Sequence, residues 1–134
     1  MKLELIKKED YHVYKDWWEA HGWEPLPQEF LPPLGLVIVN DKNEKICAGW
    51  LLQTNANIVI FEWIVSDPKS NKDERRKCIE YLYESACAVV KDMDYALIMQ
   101  FIMPKKNSLE KIAKNDGWKR TDSGLSLWLK DVRI

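Results

Sequence analysis

The run Phe61-Glu62-Trp63-Ile64-Val65-Ser66-Asp67-Pro68 constrains the fold more than any other stretch of this chain. An apolar strand pattern covering residues 58–65 stops there at Ser-Asp-Pro, and a polar loop leads on into residues 72–93. That second stretch has the strongest helical pattern in the sequence: Ile79, Leu82, Tyr83, Ala86, Val90 and Met93 fall on one face at 3.6-residue spacing, with charge opposite. Ala96-Leu97-Ile98-Met99-Gln100-Phe101-Ile102 follows as another apolar run, read as a buried strand. Strand, helix and strand over residues 58–102 make one right-handed crossover unit. Where the first strand ends and the helix begins, unpaired N–H groups and a positive helix terminus suit an anionic ligand.

The segments on either side supply the rest of a sheet. Residues 2–7 alternate Leu3 and Leu5 against Lys2 and Glu4, a first strand, and Asp10 is placed to cap a short helix over residues 11–21 that Gly22 stops. Prolines 25, 27, 32 and 33 then enforce an irregular loop with one short helical turn near residues 28–30. Gly35-Leu36-Val37-Ile38-Val39 is a second strand, and the turn chemistry of Asn40-Asp41-Lys42-Asn43-Glu44 pairs it as a hairpin with residues 45–53. Gly49, inside that strand, marks a bulge or a close approach of another backbone. A shorter helix over residues 107–116 is stopped by Gly117, and Leu125-Ser126-Leu127-Trp128-Leu129 closes the sheet as a last alternating strand.

Length and composition narrow the class. A chain of 134 residues with 46% hydrophobic and 31% charged residues is expected to form one domain, 1–134, and to be neither disordered nor membrane-spanning. The amino terminus is too short and too charged for a signal peptide, so a cytoplasmic location is expected. Cys47, Cys78 and Cys87 lie in apolar contexts without metal-ligand spacing and read as reduced core thiols; no metal site is expected. A formal charge of −1 gives no bulk attraction to nucleic acid, leaving as local basic patches only residues 69–77 and Lys105-Lys106.

The resulting order is strand, helix and loop, three antiparallel strands, long helix, strand, short helix, strand. It resembles the GCN5-related N-acetyltransferase (GNAT) fold over essentially the whole chain. Three places carry the resemblance: Glu62 to Pro68 looks like the family's fourth strand and the proline after it, residues 72–90 stand where the cofactor helix belongs, and Asn107 followed by Asn115-Asp116-Gly117-Trp118 looks like the late helix with its Gly-aromatic ending. The proline-rich loop from His21-Gly22-Trp23 to Gly35 is also similar to that of phage-encoded GNAT-like proteins, including relatives of the Mom DNA-modification protein.

The resemblance implies an α/β fold with a mixed, mainly antiparallel central sheet flanked by helices. It also implies an acyl-CoA-dependent N-acyltransferase that uses acetyl-CoA or another acyl-CoA. Direct attack by an amine, small-molecule or macromolecular, would follow, and a homodimer through the last strands is a further implication. Cofactor contacts would come from the backbone of Ile64 and Val65 and from Lys72, Arg75, Arg76 and Asn107. Two departures stand out. Ser70-Asn71-Lys72-Asp73-Glu74-Arg75-Arg76 lacks the glycines of the family's phosphate loop and carries two carboxylates, and Ala113 replaces the tyrosine that often protonates the departing thiolate. These departures favour an alternative, a GNAT-fold binding or host-interaction protein without transfer chemistry.

Acyl transfer needs a group to take the amine's proton. Glu62, on an otherwise apolar strand where burial would raise its pKa, is the first candidate, against the reading of an outward-facing strand residue paired to a lysine. His21, beside Gly22 and Trp23, is the second, as base or substrate contact; its structural alternative is a histidine favoured at a helix C-terminus. Trp17, Trp18, Trp23, Trp50 and Trp63 are expected to converge on the acceptor side, where Trp23, Trp50 and Trp63, with Ser66, would contact substrate. Stacking of a nucleobase on them would serve DNA base modification, whereas Trp118 and Trp128 are expected in the core.

Overall fold

The structure, a computed structural model, describes residues 1–103 and 107–133. Lys105-Lys106 fall outside the described residues. Two compact units make up the chain, Met1–Phe101 and Ile102–Ile134.

In the first unit five strands lie in chain order: β1 (Lys2–Leu5), β2 (Leu34–Val39), β3 (Lys45–Gln53), β4 (Ile58–Ser66) and β5 (Leu97–Met99). The first four are antiparallel neighbours, while β5 runs parallel to β4. Helix α1 (Tyr11–Ala20) stands between β1 and β2, and α2 (Lys72–Asp92) makes the crossover from β4 to β5. The β2–β3 hairpin turns where the Asn40 side chain accepts the amides of Lys42 and Glu44.

Strand alternation sorts the core into two layers. Val37, Ala48, Trp50 and Val65 face α1, packing with Tyr14, Trp17 and Trp18. The alternate positions meet α2: Phe61 packs edge-on to Tyr83 at 5.4 Å, and the buried Cys47 lies near Cys78. Gly49 belongs to this second set, where a Cβ would come within 2.6 Å of the Phe61 ring. The close approach inferred from its position in a strand is therefore an aromatic ring, not a backbone. The buried stripe of α2 is Cys78, Leu82, Tyr83, Ser85, Ala86 and Val90, which moves Ile79 to the margin of the stripe read from the sequence.

Three expectations change. Asp10 opens α1 but its side chain caps no amide there; it lies 3.9 Å from Lys45 instead. The last parallel strand is three residues long, not the seven of 96–102, because its ladder with β4 ends at the Ile60–Met99 pair. Residues 125–129 form no strand, and Leu125, Leu127, Trp128 and Leu129 are exposed, Trp128 at 88%. Alternation permits pairing without supplying a partner, so Trp128 is not a core residue.

In the second unit α3 (Asn107–Asn115) buries Ile112 and Ala113. Gly117, at φ 88°, ends it, and the Trp118 amide returns to the Ala113 carbonyl. The side chain of the cofactor candidate Asn107 lies outside the description. Among the described residues no helix is long and apolar enough to cross a membrane.

Candidate active site

The site begins with a defect in β4. Ala48 pairs with Val65 and Trp50 with Glu62, so two residues of β4, Trp63 and Ile64, stand against Gly49 alone. This is a β-bulge, and Trp63 takes up its bend at φ 59°. A bulky side chain in that region costs on the order of 1–3 kcal/mol, a cost the packing of Trp63 against the α1-side aromatic cluster offsets. The bulge lies three residues beyond the last β4–β5 pair, Ile60 and Met99.

Glu62 lies between that last pair and the bulge. Its pair Trp50 shares its face, so the carboxylate belongs to the α1 side of the sheet. It accepts the backbone amide of Phe101, replacing the lost ladder bond with a side-chain bond. Desolvation raises its pKa from 4.5 to about 7, although the amides of Phe101 and Trp63 pull the other way. Among the described residues no lysine pairs with Glu62; backbone amides hold its carboxylate.

Beyond the bulge, the amide of Asp67 donates to Ile46 on β3. Antiparallel alternation therefore turns Val65 toward β3 as well and turns the amides of Ile64 and Ser66 to the opposite edge, the side from which β5 has departed. Ile64 keeps its place as a candidate for holding an extended ligand arm. Val65 loses it, because its amide points into the sheet.

His21 is committed elsewhere. Its Nε2 lies 2.9 Å from the Ser66 carbonyl oxygen, and since a carbonyl only accepts, this nitrogen carries the proton. The ring stacks on Trp23 at 4.6 Å and 21°. Ser66 stands four residues along β4 from Glu62, roughly 10–13 Å at strand rise, so the two side chains do not share a proton. This contact ties the C-terminal end of α1 to the end of β4.

The remaining candidates divide. Trp50 is buried with Tyr14 and Trp18 and offers no face to a substrate; Trp17 and Trp18 are buried likewise. Trp23 is 37% exposed and Trp63 half-buried. Ser66 pairs with Cys47, which places its side chain on the α2 face, away from Glu62. Lys72 and Arg76 are exposed at the start of α2, with Arg76 3.9 Å from Glu80. Arg75 turns back into the loop: Nε donates to Ser70 Oγ at 3.1 Å and Nη2 to the Ser70 carbonyl at 2.8 Å.

Two contributors escaped the reading of the sequence. The Phe101 amide left no signal, being backbone. Asn71 did leave one: Asn71-Lys72-Asp73-Glu74 is a capping sequence, and its side chain accepts the amides of Asp73 and Glu74 at 2.9 and 3.2 Å. The Ile64 and Ser66 amides thus face away from β3, while the loop at residues 67–75 is filled by its own hydrogen bonds.

No family model matches the sequence, and no curated protein does. Solved structures match over nearly the whole chain. A protein described as a probable acetyltransferase superposes with a TM-score of 0.73 at 12% identity, covering 98% of this chain and 99% of its own. An acetyltransferase of Trypanosoma brucei gives 0.65 at 12% identity, with 96% and 99% covered. The aminoglycoside 6'-N-acetyltransferase of Acinetobacter baumannii gives 0.63 at 14%, with 98% of each covered. The fold is GNAT-like: a five-stranded mixed sheet with helices against it, the fold of these acetyltransferases.

Proposed function

We propose that the protein is an N-acyltransferase that moves an acyl group from a thioester, acetyl-CoA or another acyl-CoA, to an amine in the opening between β4 and β5. The observation that carries this reading is a desolvated carboxylate, Glu62, between the end of the β4–β5 ladder at Ile60–Met99 and the bulge at Trp63. The amine nitrogen bonds to the acyl carbon, the carbon–sulfur bond breaks, and the sulfur leaves as thiolate, which takes a proton from solvent. Glu62, with a pKa of about 7, takes the amine's proton near neutral pH without being permanently protonated. Likeness in fold to the aminoglycoside enzyme makes amine acceptors the first class to screen.

The test is thiol release from acetyl-CoA against a panel of polyamines, aminoglycosides and lysine peptides. Turnover that Glu62→Gln lowers at least about a hundredfold supports the reading, in line with the usual 10²–10⁴ contribution of a positioned base. A folded protein that neither binds the thioester nor releases thiol would favour the binding-protein alternative, for which the filled loop at residues 67–75 speaks. Base stacking for DNA modification is disfavoured by the burial of Trp17, Trp18 and Trp50.

A further inference from the structure

We infer that this site recognises its acyl donor through the pantetheine arm alone, the adenosine diphosphate portion of coenzyme A adding little. The inference rests on the acyl-transfer reading above and names the part of the donor that is held. A phosphate docks at the start of a helix by taking amides that have no other partner. In the loop between β4 and α2 the amides of Lys69, Ser70, Asp73, Glu74 and Arg75 are taken. Asp67 accepts the Lys69 amide with its carboxylate at 2.9 Å and the Ser70 amide with its carbonyl at 3.1 Å. Asn71 accepts Asp73 and Glu74 with its side chain, and its carbonyl accepts Arg75 at 2.8 Å.

The nearest guanidinium is spent in the same loop, since Arg75 donates to the Ser70 hydroxyl and carbonyl. Asp73 and Glu74 add two carboxylates in the first turn of α2, unfavourable to a phosphate bound there, with Glu74 turned to accept Asn40 Nδ2 of the hairpin at 3.2 Å. Lys69, Lys72 and Arg76 balance them only from exposed positions, where attraction to an anion is weakened by solvent and salt. To reach the Asp73 and Glu74 amides a pyrophosphate would have to displace the Asn71 cap, and it would then lie in a turn that carries two carboxylates. The arm side shows none of these conflicts: the Ile64 and Ser66 amides face an edge that β5 has left, and two amide groups recur along pantetheine to meet strand-like donors.

The experiment is calorimetric titration of the full chain with acetyl-CoA and, separately, with S-acetylpantetheine. The inference requires dissociation constants within tenfold of each other. Acetyl-CoA binding more than tenfold tighter would overturn it while leaving acyl transfer standing. Neither probe binding to folded protein would overturn the acyl-transfer reading itself. The variant Asn71→Ala with Asp73→Asn, checked for folding by circular dichroism, frees two amides and removes one carboxylate. It should tighten acetyl-CoA at least fivefold and leave S-acetylpantetheine unchanged; an unaltered ratio would count against the filled loop as the cause.

Discussion

Glu62→Gln separates the proton affinity of the carboxyl from its hydrogen bond. The amide oxygen of glutamine still accepts from Phe101, so the junction of β4 and β5 is kept while the ionisation is removed. In the native protein the folded state holds a proton on Glu62 more tightly than the unfolded chain, because its pKa rises from 4.5 to about 7. Between those pH values the folded state binds more protons, so this group's contribution makes stability fall as pH rises through the window. The full rise corresponds to about 3.4 kcal/mol at 1.36 kcal/mol per pH unit. Solvent reaching the half-buried carboxylate reduces this to roughly 1–2 kcal/mol. A chain of this size gains on the order of 4 °C in Tm per kcal/mol. Glu62→Gln should therefore match the native protein at pH 4.5 and melt roughly 4–8 °C higher at pH 8, followed by scanning calorimetry. Parallel Tm curves across the whole range would refute a desolvated carboxyl at this position.

Other perturbations probe the neighbouring elements. Gly49→Ala pushes a methyl into the Phe61 ring and should destabilise by about 1–3 kcal/mol in urea unfolding. Arg75→Ala removes the hydrogen bonds that brace Ser70 and should cost about 1–3 kcal/mol by the same measurement. His21→Ala frees the Ser66 carbonyl; if His21 positions β4 without touching the proton, KM should rise severalfold while the pH profile of kcat keeps its midpoint. Trp128→Ser, at an exposed position, should change stability by less than about 0.5 kcal/mol.

What the sequence disclosed depended on which forces act locally. The α2 pattern, the β2–β3 hairpin and the apolar run of β4 are written in side-chain periodicity and turn chemistry, so their positions could be read within one or two residues. Glu62 was legible for a similar reason: one charge in an apolar strand has to be either turned outward or desolvated. The bulge was not, because Trp63 resembles any strand residue until the packing of α1 fixes its backbone. For the tryptophans, composition gives number but not direction, and Trp50 and Trp128 went opposite ways, one into the aromatic core and one into solvent. The end of β5 was hidden for a similar reason: beyond Met99 the Phe101 amide goes to a side chain 39 positions earlier instead of to a strand partner.

The most direct test of the β4–β5 opening as the acyl-donor site is an amide-resolved NMR titration with acetyl-CoA. The account predicts saturable shifts at the backbone amides of Ile64 and Ser66, with smaller ones at Val65, whose amide faces β3. No shifts at those two amides, or shifts confined to other strands, would contradict it.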